Sequence, residues 1–599
     1  MNGNAQKVPY AVFGTAAAYF ANRATAVYLA STATTSNDKL SQTLVDFPKA
    51  LSENPFSINL EPKPVLASVG CLAVAALFYA MRDTHQYRFG REHGTARWGT
   101  RREMKSFADK DFSQNIILGQ GVYMSINERG RVDTDRNNNC MVIGGSGSWK
   151  TTSFIMSNLA QKNTSFVLTD PKGMTVRRVG KMLEDDGYKV KVCDFDTLMN
   201  SDHFNPYAYI HNEITLKQVI SLLIDATNGE HAKKSEPFWD KSEEMLIAAL
   251  ASFLYYRYRG NGKIKGDGVM PSLADIGRLI RHLERTDDSP SVLEIMFDEF
   301  AQKFGYNNYA VLQFQNFKNF KGQTRSSVVA IGTARFSMFD LQDVQDFIKD
   351  DTLEIDKWMD EKYAIFLKIP DMDYTFNFLT LMVFLLAFKT LEAKVDNEYF
   401  GDPPVPIQFL LDEFVNLGKI PNIKKALSVF RSRKMSIAVI LQSLNQLKAE
   451  YKDDWKSFVG NCDSIVYLSG STEDETQKFF SGAAGKETIY TKERNRGQIT
   501  HRPMGRDLIT YSEVRTLSRR KALVSIASTE MFKVNKYNYK KHPNAKEFSD
   551  NPRDGKWYFY KRYKNNLEKF QDNTRKLEKA GKMIDLKVMS FDELMETTA

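Results

Sequence analysis

A short apolar run is followed by residues with the types and order of a phosphate-binding loop. Residues 139–143 read NCMVI, GGSGSWKTT follows at 144–152, and the next residues, SFIMSNLAQK, have a helical pattern. A strand, a glycine-rich loop with a lysine and a hydroxyl, and then a helix form the P-loop arrangement, in which backbone N–H groups and the helix dipole hold phosphates. The predicted nucleotide-binding residues of this loop are Gly144, Gly145, Ser146, Gly147, Ser148, Trp149, Lys150, Thr151 and Thr152.

Two side chains of this loop have specific predicted roles, and a third departs from the motif. Lys150 is predicted to reach the β- and γ-phosphates of ATP, and the Thr151 hydroxyl is predicted to bind Mg²⁺. The usual pattern has a glycine just before the lysine, where this chain has Trp149. If that position requires a positive φ, a non-glycine residue costs about 1–2 kcal/mol, and a bulky indole would also crowd the phosphates. The motif therefore predicts nucleotide binding and leaves turnover open, with a ligand-free glycine turn as the alternative.

A second apolar run ends in two carboxylates, as a Walker B strand does. Residues 406–413 read PIQFLLDE, so that Asp412 is predicted to hold the water shell of Mg²⁺ and Glu413 to polarise the water that attacks the γ-phosphate. The next apolar run, within 435–447, ends at Gln442, which is placed to sense the γ-phosphate or to position water. An acidic pair at a strand end is otherwise a helix cap or a solvated tip.

Two arginines lie on a basic turn beyond the acidic pair. Arg431 and Arg433 belong to the segment VFRSRK, directly before the apolar run that ends at Gln442. We interpret them as candidate arginine fingers that reach the γ-phosphate of a neighbouring subunit, which would make catalysis depend on a ring. Solvated surface charge is the alternative.

Further apolar runs alternate with helical patterns, which predicts an α/β fold with a parallel sheet covered on both faces. Residues 212–335 instead hold helical patterns with few strand signals. The additional strand-like runs are SFVLTD at 165–170, VKVCDF at 190–195, YAIFLKIP at 363–370, SIVYLSG at 464–470 and ALVSIAS at 522–528.

Length, charge and cysteine usage set the wider bounds. A chain of 599 residues is too long for one hydrophobic core, so two or more units are expected. The net charge of +9 permits a nucleic acid or an anionic membrane as partner without deciding for either. The four cysteines form no C-x-x-C pair and the eight histidines form no ligand-like cluster, which predicts a reducing compartment and no structural metal.

Two apolar segments near the N-terminus are predicted to cross a membrane. Residues 65–81 carry no charge and are long enough for a short spanning helix, with a buried core helix as the alternative. Residues 9–30 are interrupted by Asn22 and Arg23, although an arginine near one end can reach the headgroups. For this segment a signal peptide or an interfacial helix remains open. The polar residues 31–63 are interpreted as a short extracytoplasmic loop.

A basic cluster follows the second apolar segment. By the positive-inside rule it places the rest of the chain in the cytoplasm and, with two spans, the N-terminus as well. The cluster consists of Arg82, Arg88, Arg91, Arg97, Arg101 and Arg102.

Several segments together resemble the type IV secretion coupling proteins of bacterial conjugation, and the resemblance covers nearly the whole chain. They are HGTARWG (93–99), VIGGSGSWKT at the P-loop, LTDPKGM (168–174), FNPY (204–207), EPFWDKSEEML (236–246), FLLDEFVNLGKIPN (409–422) and ILQSLNQL (440–447).

The resemblance implies a RecA-like nucleotide-binding domain with an all-α insertion domain and an N-terminal membrane anchor of two helices. The implied parts are an anchor at 1–82 with helices at about 9–30 and 64–81, a first RecA-like part at 83–211, an all-α domain at 212–335, a second RecA-like part at 336–545 and a charged tail at 546–599.

The implied function is that of an ATPase in the bacterial cytoplasmic membrane, hexameric when active, which uses ATP and Mg²⁺. It receives a relaxase or another secreted protein with its attached DNA and passes the substrate to subunits of a secretion channel. Two other functions stay open: a membrane-anchored chromosome DNA translocase, and a substrate receptor with little ATP turnover. The charged tail is either an exposed helix with a mobile end or a docking site for the transferred protein.

The DNA path is predicted only as two basic segments, in which phosphate contacts would be independent of sequence and sensitive to salt. One is FKNFKGQTR (317–325), where basic and aromatic residues alternate. The other is the basic loop 486–506. Solvated surface charge is the alternative for each residue. The candidates are Lys318, Lys321 and Arg325 in the first segment and Lys486, Lys492, Arg494, Arg496, Arg502 and Arg506 in the second.

Overall fold

The computed structural model describes residues 8–81 and 90–559, except for 129, 132, 229–236, 284–289, 371–374, 496 and 497. The chain divides into two compact units, Met1–Glu92 and His93–Ala599. The first unit contains three helices, α1 Val8–Ala30, α2 Ser36–Glu53 and α3 Pro62–Met81. Within the described part of the chain, α3 alone is long and apolar enough to cross a membrane, judged by length and composition.

The stretch predicted as an extracytoplasmic loop contains a helix, α2. Its start is stabilised because the Thr35 side chain accepts the N–H of Asp38, whose carboxylate in turn suits the positive end of the helix. The helix was not predicted, because the stretch was interpreted from its polar composition and not from its capping residues.

Polar side chains of α1 bind backbone groups of the same unit. The Asn22 amide donates to the carbonyl of Asn59 over 2.9 Å and accepts its N–H over 2.8 Å. Arg23, for which the sequence suggests a reach toward headgroups, donates to the carbonyls of Ala50 and Asn54. The two polar residues that interrupt the apolar segment therefore hold α1 to the segments that follow it in the same unit.

The second unit is built on strands and helices whose bounds are as follows. The strands are β1 Asn115–Gly119, β2 Val122–Ser125, β3 Cys140–Ile143, β4 Ser165–Thr169, β5 Lys189–Asp194, β6 Tyr363–Lys368, β7 Ile407–Leu411, β8 Met435–Leu441, β9 Ser464–Tyr467, β10 Lys486–Asn495, β11 Gln498–Asp507, β12 Lys521–Ile526 and β13 Phe532–Asn535. The helices are α4 Arg101–Phe107, α5 Met156–Leu159, α6 Met174–Asp185, α7 Glu213–Thr227, α8 Pro237–Arg259, α9 Leu273–Arg281, α10 Val292–Phe304, α11 Tyr309–Lys318, α12 Gly322–Phe336, α13 Gln342–Ile348, α14 Asn377–Asn397, α15 Ile423–Val429, α16 Leu444–Tyr451, α17 Trp455–Gly460, α18 Asp474–Ala484 and α19 Tyr511–Arg515.

Nine of these strands form one sheet, in the order β13-β12-β9-β3-β8-β7-β4-β6-β5. The pairs from β9 to β5 are all parallel, whereas β12 runs antiparallel to both β9 and β13. The predicted, mostly parallel sheet is confirmed. Strand β13 was missed because it is short and its side chains alternate between buried and exposed.

Both faces of this sheet are buried, because successive side chains of a strand point to opposite faces. In β3, Met141 and Ile143 pack into one apolar core, while Cys140 and Val142 pack into the other. Between β5 and β6 the described residues form the helices α7–α13, and Arg335 pairs there with the buried carboxylate of Glu243 over 2.6 Å.

The C-terminal end of the described chain packs against α6. The N–H of Ser549 donates to the carbonyl of Arg178 over 3.0 Å, and the N–H of Tyr558 donates to that of Arg177 over 2.9 Å. The first residues of the predicted tail, 546–559, are thus held on the second unit, while the rest of the tail lies outside the described residues.

Candidate nucleotide-binding site

The glycine-rich loop leaves β3 at the edge of the sheet where the parallel strands end. The N–H of Gly144 donates to the carbonyl of Leu441 over 3.0 Å, and the N–H of Gly145 donates to that of Ser469 over 3.3 Å. A Cβ on Gly145 would lie 2.0 Å from the carbonyl oxygen of Gly470, so no other residue fits there. Neighbouring strand ends therefore fix the start of the loop.

Trp149 has a φ of 67°, in the left-handed region that favours glycine. The position that usually holds glycine does therefore require a positive φ here. The indole is half exposed, and the carbonyl of Trp149 accepts the N–H of Ser153 over 2.8 Å. The chain then continues through a single π-helical turn, Thr151–Ile155, into α5. Such turns occur frequently at functional sites.

The Lys150 ammonium lies inside the curve of the loop. It donates to the carbonyl of Gly144 over 2.7 Å and approaches that of Gly145 at 3.4 Å. Burial lowers the pKa of Lys150, while the carboxylates of Asp412 and Glu413 act in the opposite direction. A partly buried ammonium held mainly by carbonyl groups is suited to an anion placed in the same curve.

Asp412 lies at the end of β7, next to the loop. The Thr151 hydroxyl donates to its carboxylate over 3.4 Å, and the Thr169 hydroxyl donates to its carbonyl over 2.7 Å. Burial raises the pKa of Asp412 to about 6, with Glu413 adding to the rise and Lys150 opposing it. A carboxylate with this environment gains from a nearby cation.

Further polar side chains lie near Asp412 along the same edge of the sheet. Glu413 has a φ of 50°, and its carboxylate accepts the side-chain amide of Asn416 over 3.1 Å. Gln442 follows β8 directly, beside the Leu441 carbonyl that anchors the loop. The structure thus brings the predicted residues Lys150, Thr151, Asp412, Glu413 and Gln442 to one edge of the sheet.

Two polar residues at this edge were missed by the sequence analysis. Asp170, at the end of β4, accepts the N–H groups of Thr175 and Val176 over 2.7 and 3.0 Å and so caps α6. Lys536, after β13, donates to the carbonyl of Ser148 over 2.8 Å. Asp170 belongs to the quoted segment LTDPKGM, whereas nothing in the sequence connects Lys536 with the loop.

Comparison with known proteins assigns this chain to a family. A sequence model of the family described as Type IV secretory system Conjugative DNA transfer matches residues 101–583, which is most of the chain. The chain belongs to this family.

Two relatives match only part of this family member. It is similar to Protein VirD4 of Rhizobium rhizogenes, with 29% identity over 163 residues, which are 26% of this chain and 24% of VirD4. For Protein VirD4 of Rhizobium radiobacter the identity is 30% over 163 residues, with the same shares of each chain. The matched part spans about a quarter of the length of these relatives.

Two solved structures share the fold of this family member. The unbound bacterial conjugative coupling protein TrwBdeltaN70 has a TM-score of 0.53 and 15% identity, and the match covers 76% of this chain and 95% of that chain. Plasmid coupling protein TrwB in complex with ADP and Mg²⁺ has a TM-score of 0.52 and 16% identity, with 77% and 96% covered. The predicted α/β, RecA-like fold is confirmed.

The two arginines of this family member lie at the opposite edge of the sheet, directly before β8. Arg433 is largely buried and forms ion pairs with Glu392 at 3.2 Å and Asp396 at 2.7 Å. Arg431 is half exposed, and its closest carboxylate is that of Glu128 at 3.5 Å. Neither guanidinium lies at the nucleotide-binding edge of its own subunit.

The predicted DNA contacts of this family member differ in their surroundings. Lys318 and Lys321 are exposed. Arg325 is mostly buried, approaches the carboxylate of Glu294 at 3.3 Å and lies over the ring of Phe317 at 5.2 Å.

The segment predicted as the basic loop 486–506 is instead an antiparallel hairpin, β10 and β11, in which Arg494 is in register with Ile499. Polar and charged residues dominate both strands, so the apolar alternation that indicates a strand is weak. Arg506 forms ion pairs with Glu487 and Glu513. The remaining candidate of this segment, Arg496, lies outside the described residues.

Proposed function

We propose that this chain is a membrane-anchored P-loop ATPase that recruits a relaxase–DNA substrate and drives its transfer through a type IV secretion channel. The observation that carries the proposal is the meeting of Lys150, Thr151 and Asp412 at one sheet edge, in a chain of the conjugative DNA transfer family. The structure of TrwB with ADP and Mg²⁺ supports the same use of this fold.

The residues at this edge fit ATP and Mg²⁺. The Gly145 position leaves no room for a side chain, and the buried Ser148 hydroxyl has no hydrogen-bond partner among the described residues. Lys150 has a partly buried positive charge that a phosphate would neutralise. Thr151 and Asp412 supply the hydroxyl and carboxylate that hold Mg²⁺ in P-loop proteins. The loop residues 144–152 thus hold the phosphates and these two side chains hold the metal.

Each residue of the site would have a separate role in ATP hydrolysis. Lys150 binds the β- and γ-phosphates and stabilises the charge that develops on them. Glu413 accepts the proton of the attacking water, and Asn416 keeps its carboxylate oriented. Gln442 orients that water or senses whether a γ-phosphate is bound. Bound ATP with Mg²⁺ supplies the phosphoanhydride whose hydrolysis drives translocation.

A homo-hexamer would complete each site with an arginine of the adjacent subunit. Both candidate arginines lie at the sheet edge away from the P-loop, so they can serve only a neighbour's nucleotide. Arg431 is the better candidate, because Arg433 is held by two carboxylates of its own chain.

DNA would meet the exposed lysines of this unit without sequence preference. We place Lys318 and Lys321 on that path, within an all-α domain at about 212–335 between two RecA-like parts at 83–211 and 336–545. The basic segment 486–506, with the candidates Arg494 and Arg496, is the second proposed contact. The channel subunits and the transferred protein are the remaining partners.

The anchor is proposed to consist of both α1 and α3 in the cytoplasmic membrane of a bacterium, with the bulk of the chain in the cytoplasm. The apolar composition of α3 supports one span, and the basic residues that follow it support this orientation. Carbonate extraction tests the anchor, since an integral protein stays with the membrane. Release of the full-length chain would contradict it.

A transfer assay tests the whole proposal. Donor cells that lack this chain are complemented with the wild type or with Lys150→Ala at matched expression, and the transfer frequency of the mobile element is counted. We expect the wild type to restore transfer and the variant to fail. Equal transfer with both proteins would show that nucleotide use is dispensable and would favour a receptor role.

A further inference from the structure

Lys536 reaches the P-loop from a strand at the edge of the sheet. Strand β13 is antiparallel to β12, which is antiparallel to β9, so its carboxyl end lies at the same sheet edge as that of β3. Lys536 follows this end directly and is only 7% exposed. The order and direction of the strands therefore bring Lys536 close to the loop that follows β3, although the two are far apart in the sequence.

Both contacts of the Lys536 ammonium lie on the same part of the loop. It donates to the carbonyl of Ser148 over 2.8 Å and lies 5.4 Å from the centre of the Trp149 ring. The first contact fixes the peptide group that precedes Trp149, and the second holds its side chain by a cation–π interaction. Together they restrict the rotation about φ of Trp149.

The electrostatic surroundings of Lys536 make this arrangement costly. Among the described residues no carboxylate forms an ion pair with it, and the charged groups that act on it are Arg519 and Lys150. A buried ammonium without an acidic partner loses hydration that other groups must replace. The carbonyl and the indole are the groups that replace it here.

We propose that Lys536 is a positioning residue of the nucleotide site: it holds Trp149 in the left-handed conformation that a glycine would adopt without help. A positive φ strains tryptophan through steric contact between its Cβ and the backbone, so a loop with tryptophan needs an external restraint. Lys536 and Trp149 thus act as a pair that replaces the usual glycine. This inference rests on the proposed nucleotide-binding function.

A double-mutant cycle separates this role from direct phosphate binding and from a general contribution to folding. The proteins are the wild type, Lys536→Met, Trp149→Gly and the double variant, each full-length in detergent. The dissociation constant is measured for ADP carrying a fluorescent ribose label, in the presence of Mg²⁺. Thermal unfolding is recorded for every protein.

We expect Lys536→Met to weaken ADP binding by about tenfold or more when Trp149 is present and by less than about threefold in the Trp149→Gly background. Lys536→Arg should bind ADP nearly as well as the wild type, because a guanidinium keeps both the donated hydrogen bond and the cation–π contact. If Lys536→Met does not fold, Lys536→Gln takes its place in the cycle.

Lys533, a residue of β13, provides a matched control. Its ammonium lies 5.3 Å from the ring of another tryptophan, Trp98, but it is exposed and makes no contact with the loop. We expect Lys533→Met to leave ADP affinity unchanged. An equal loss with Lys533→Met would show that removing any lysine in or next to β13 suffices, and would overturn the inference.

Two other results would overturn the inference while leaving the proposed function intact. One is an equal loss of ADP affinity on Lys536→Met in both backgrounds, which would assign Lys536 to the phosphates themselves. The other is an ADP affinity of Lys536→Met equal to that of the wild type. If the wild type binds ADP no better than Lys150→Ala does, the proposed function fails, and the inference fails with it.

Discussion

The Thr151 hydroxyl donates to the Asp412 carboxylate over 3.4 Å, although 261 positions separate the two residues in the chain. This hydrogen bond joins the start of the helix after the P-loop to the end of β7. These two groups are the hydroxyl and the carboxylate that would hold Mg²⁺ or its water shell. The two sequence motifs are therefore parts of one site.

Glu413→Gln is expected to separate nucleotide binding from hydrolysis. The substitution preserves the size of the side chain and its contact with Asn416, but it removes the base, so turnover should fall by about 10²-fold or more. ATP affinity should stay close to that of the wild type. Steady-state hydrolysis and equilibrium ATP binding are measured on the same preparations.

Lys150→Ala serves as the control for that experiment, because it removes the phosphate ligand and should weaken ATP binding itself. Hydrolysis by Glu413→Gln at the wild-type rate would show that another group activates the water.

The two arginines before β8 are expected to behave differently. Arg431→Ala should lower ATP turnover without changing the thermal unfolding temperature, because its nearest carboxylate is 3.5 Å away and the side chain is half exposed. Arg433→Ala should lower that temperature, because Glu392 and Asp396 lose their shared partner.

Mixed hexamers test the role of Arg431 directly. Arg431→Ala subunits mixed with Glu413→Gln subunits should recover part of the turnover, since each intact site would take its arginine from one protein and its carboxylate from the other. Absence of recovery in mixed rings would count against an arginine finger at this position.

The basic residues of α11 and α12 give opposite predictions. Lys318→Ala and Lys321→Ala should each lower the slope of log affinity for DNA against log salt by about one, as loss of a phosphate contact does. Arg325→Ala should instead destabilise the protein by about 1–3 kcal/mol, because the buried carboxylate of Glu294 keeps the N–H of Ser291 but loses its ion pair with Arg325. Filter binding over a salt series and chemical unfolding distinguish the two classes. An unchanged salt slope for both lysine variants would remove them from the DNA path.

The nucleotide affinity is expected to depend on pH through Lys536. Burial, with Arg519 and Lys150 contributing, lowers the pKa of Lys536 to about 8. The ammonium is thus mostly charged at pH 7 and mostly neutral at pH 9, whereas an arginine stays charged over this range.

We therefore expect the ADP affinity of the wild type to fall from pH 7 to pH 9, because the neutral amine loses the cation–π contact with Trp149, but to stay above that of Lys536→Met, because the amine still donates to Ser148. The affinity of Lys536→Arg should fall less, and the difference between the two profiles isolates Lys536 from other titrating groups such as Lys150. Parallel profiles would exclude Lys536 as the titrating group.

The sequence predicted the parallel strands well, because strands buried on both faces have near-continuous apolar runs with little ambiguity. It also predicted which residues follow those strands, and parallel strands bring their carboxyl ends together whatever the connections between them. The residues Lys150, Asp412 and Gln442 can therefore be grouped from the sequence alone.

Contacts made by irregular or polar segments could not be predicted in this way. Lys536 follows a four-residue strand at the sheet edge, and its contact with Ser148 depends on two antiparallel pairings that leave no pattern in the sequence. Helix α2 and the hairpin β10–β11 are similarly polar segments in which capping and cross-strand pairing, rather than apolar periodicity, fix the structure.

DNA-stimulated ATP hydrolysis tests the central claim most directly. The rate is measured for the full-length wild type and for Lys150→Ala, each with and without DNA of unrelated sequences. We predict hydrolysis by the wild type that rises on addition of any of these DNAs and is lost in the variant. A wild-type rate equal to that of Lys150→Ala, with or without DNA, would contradict the account.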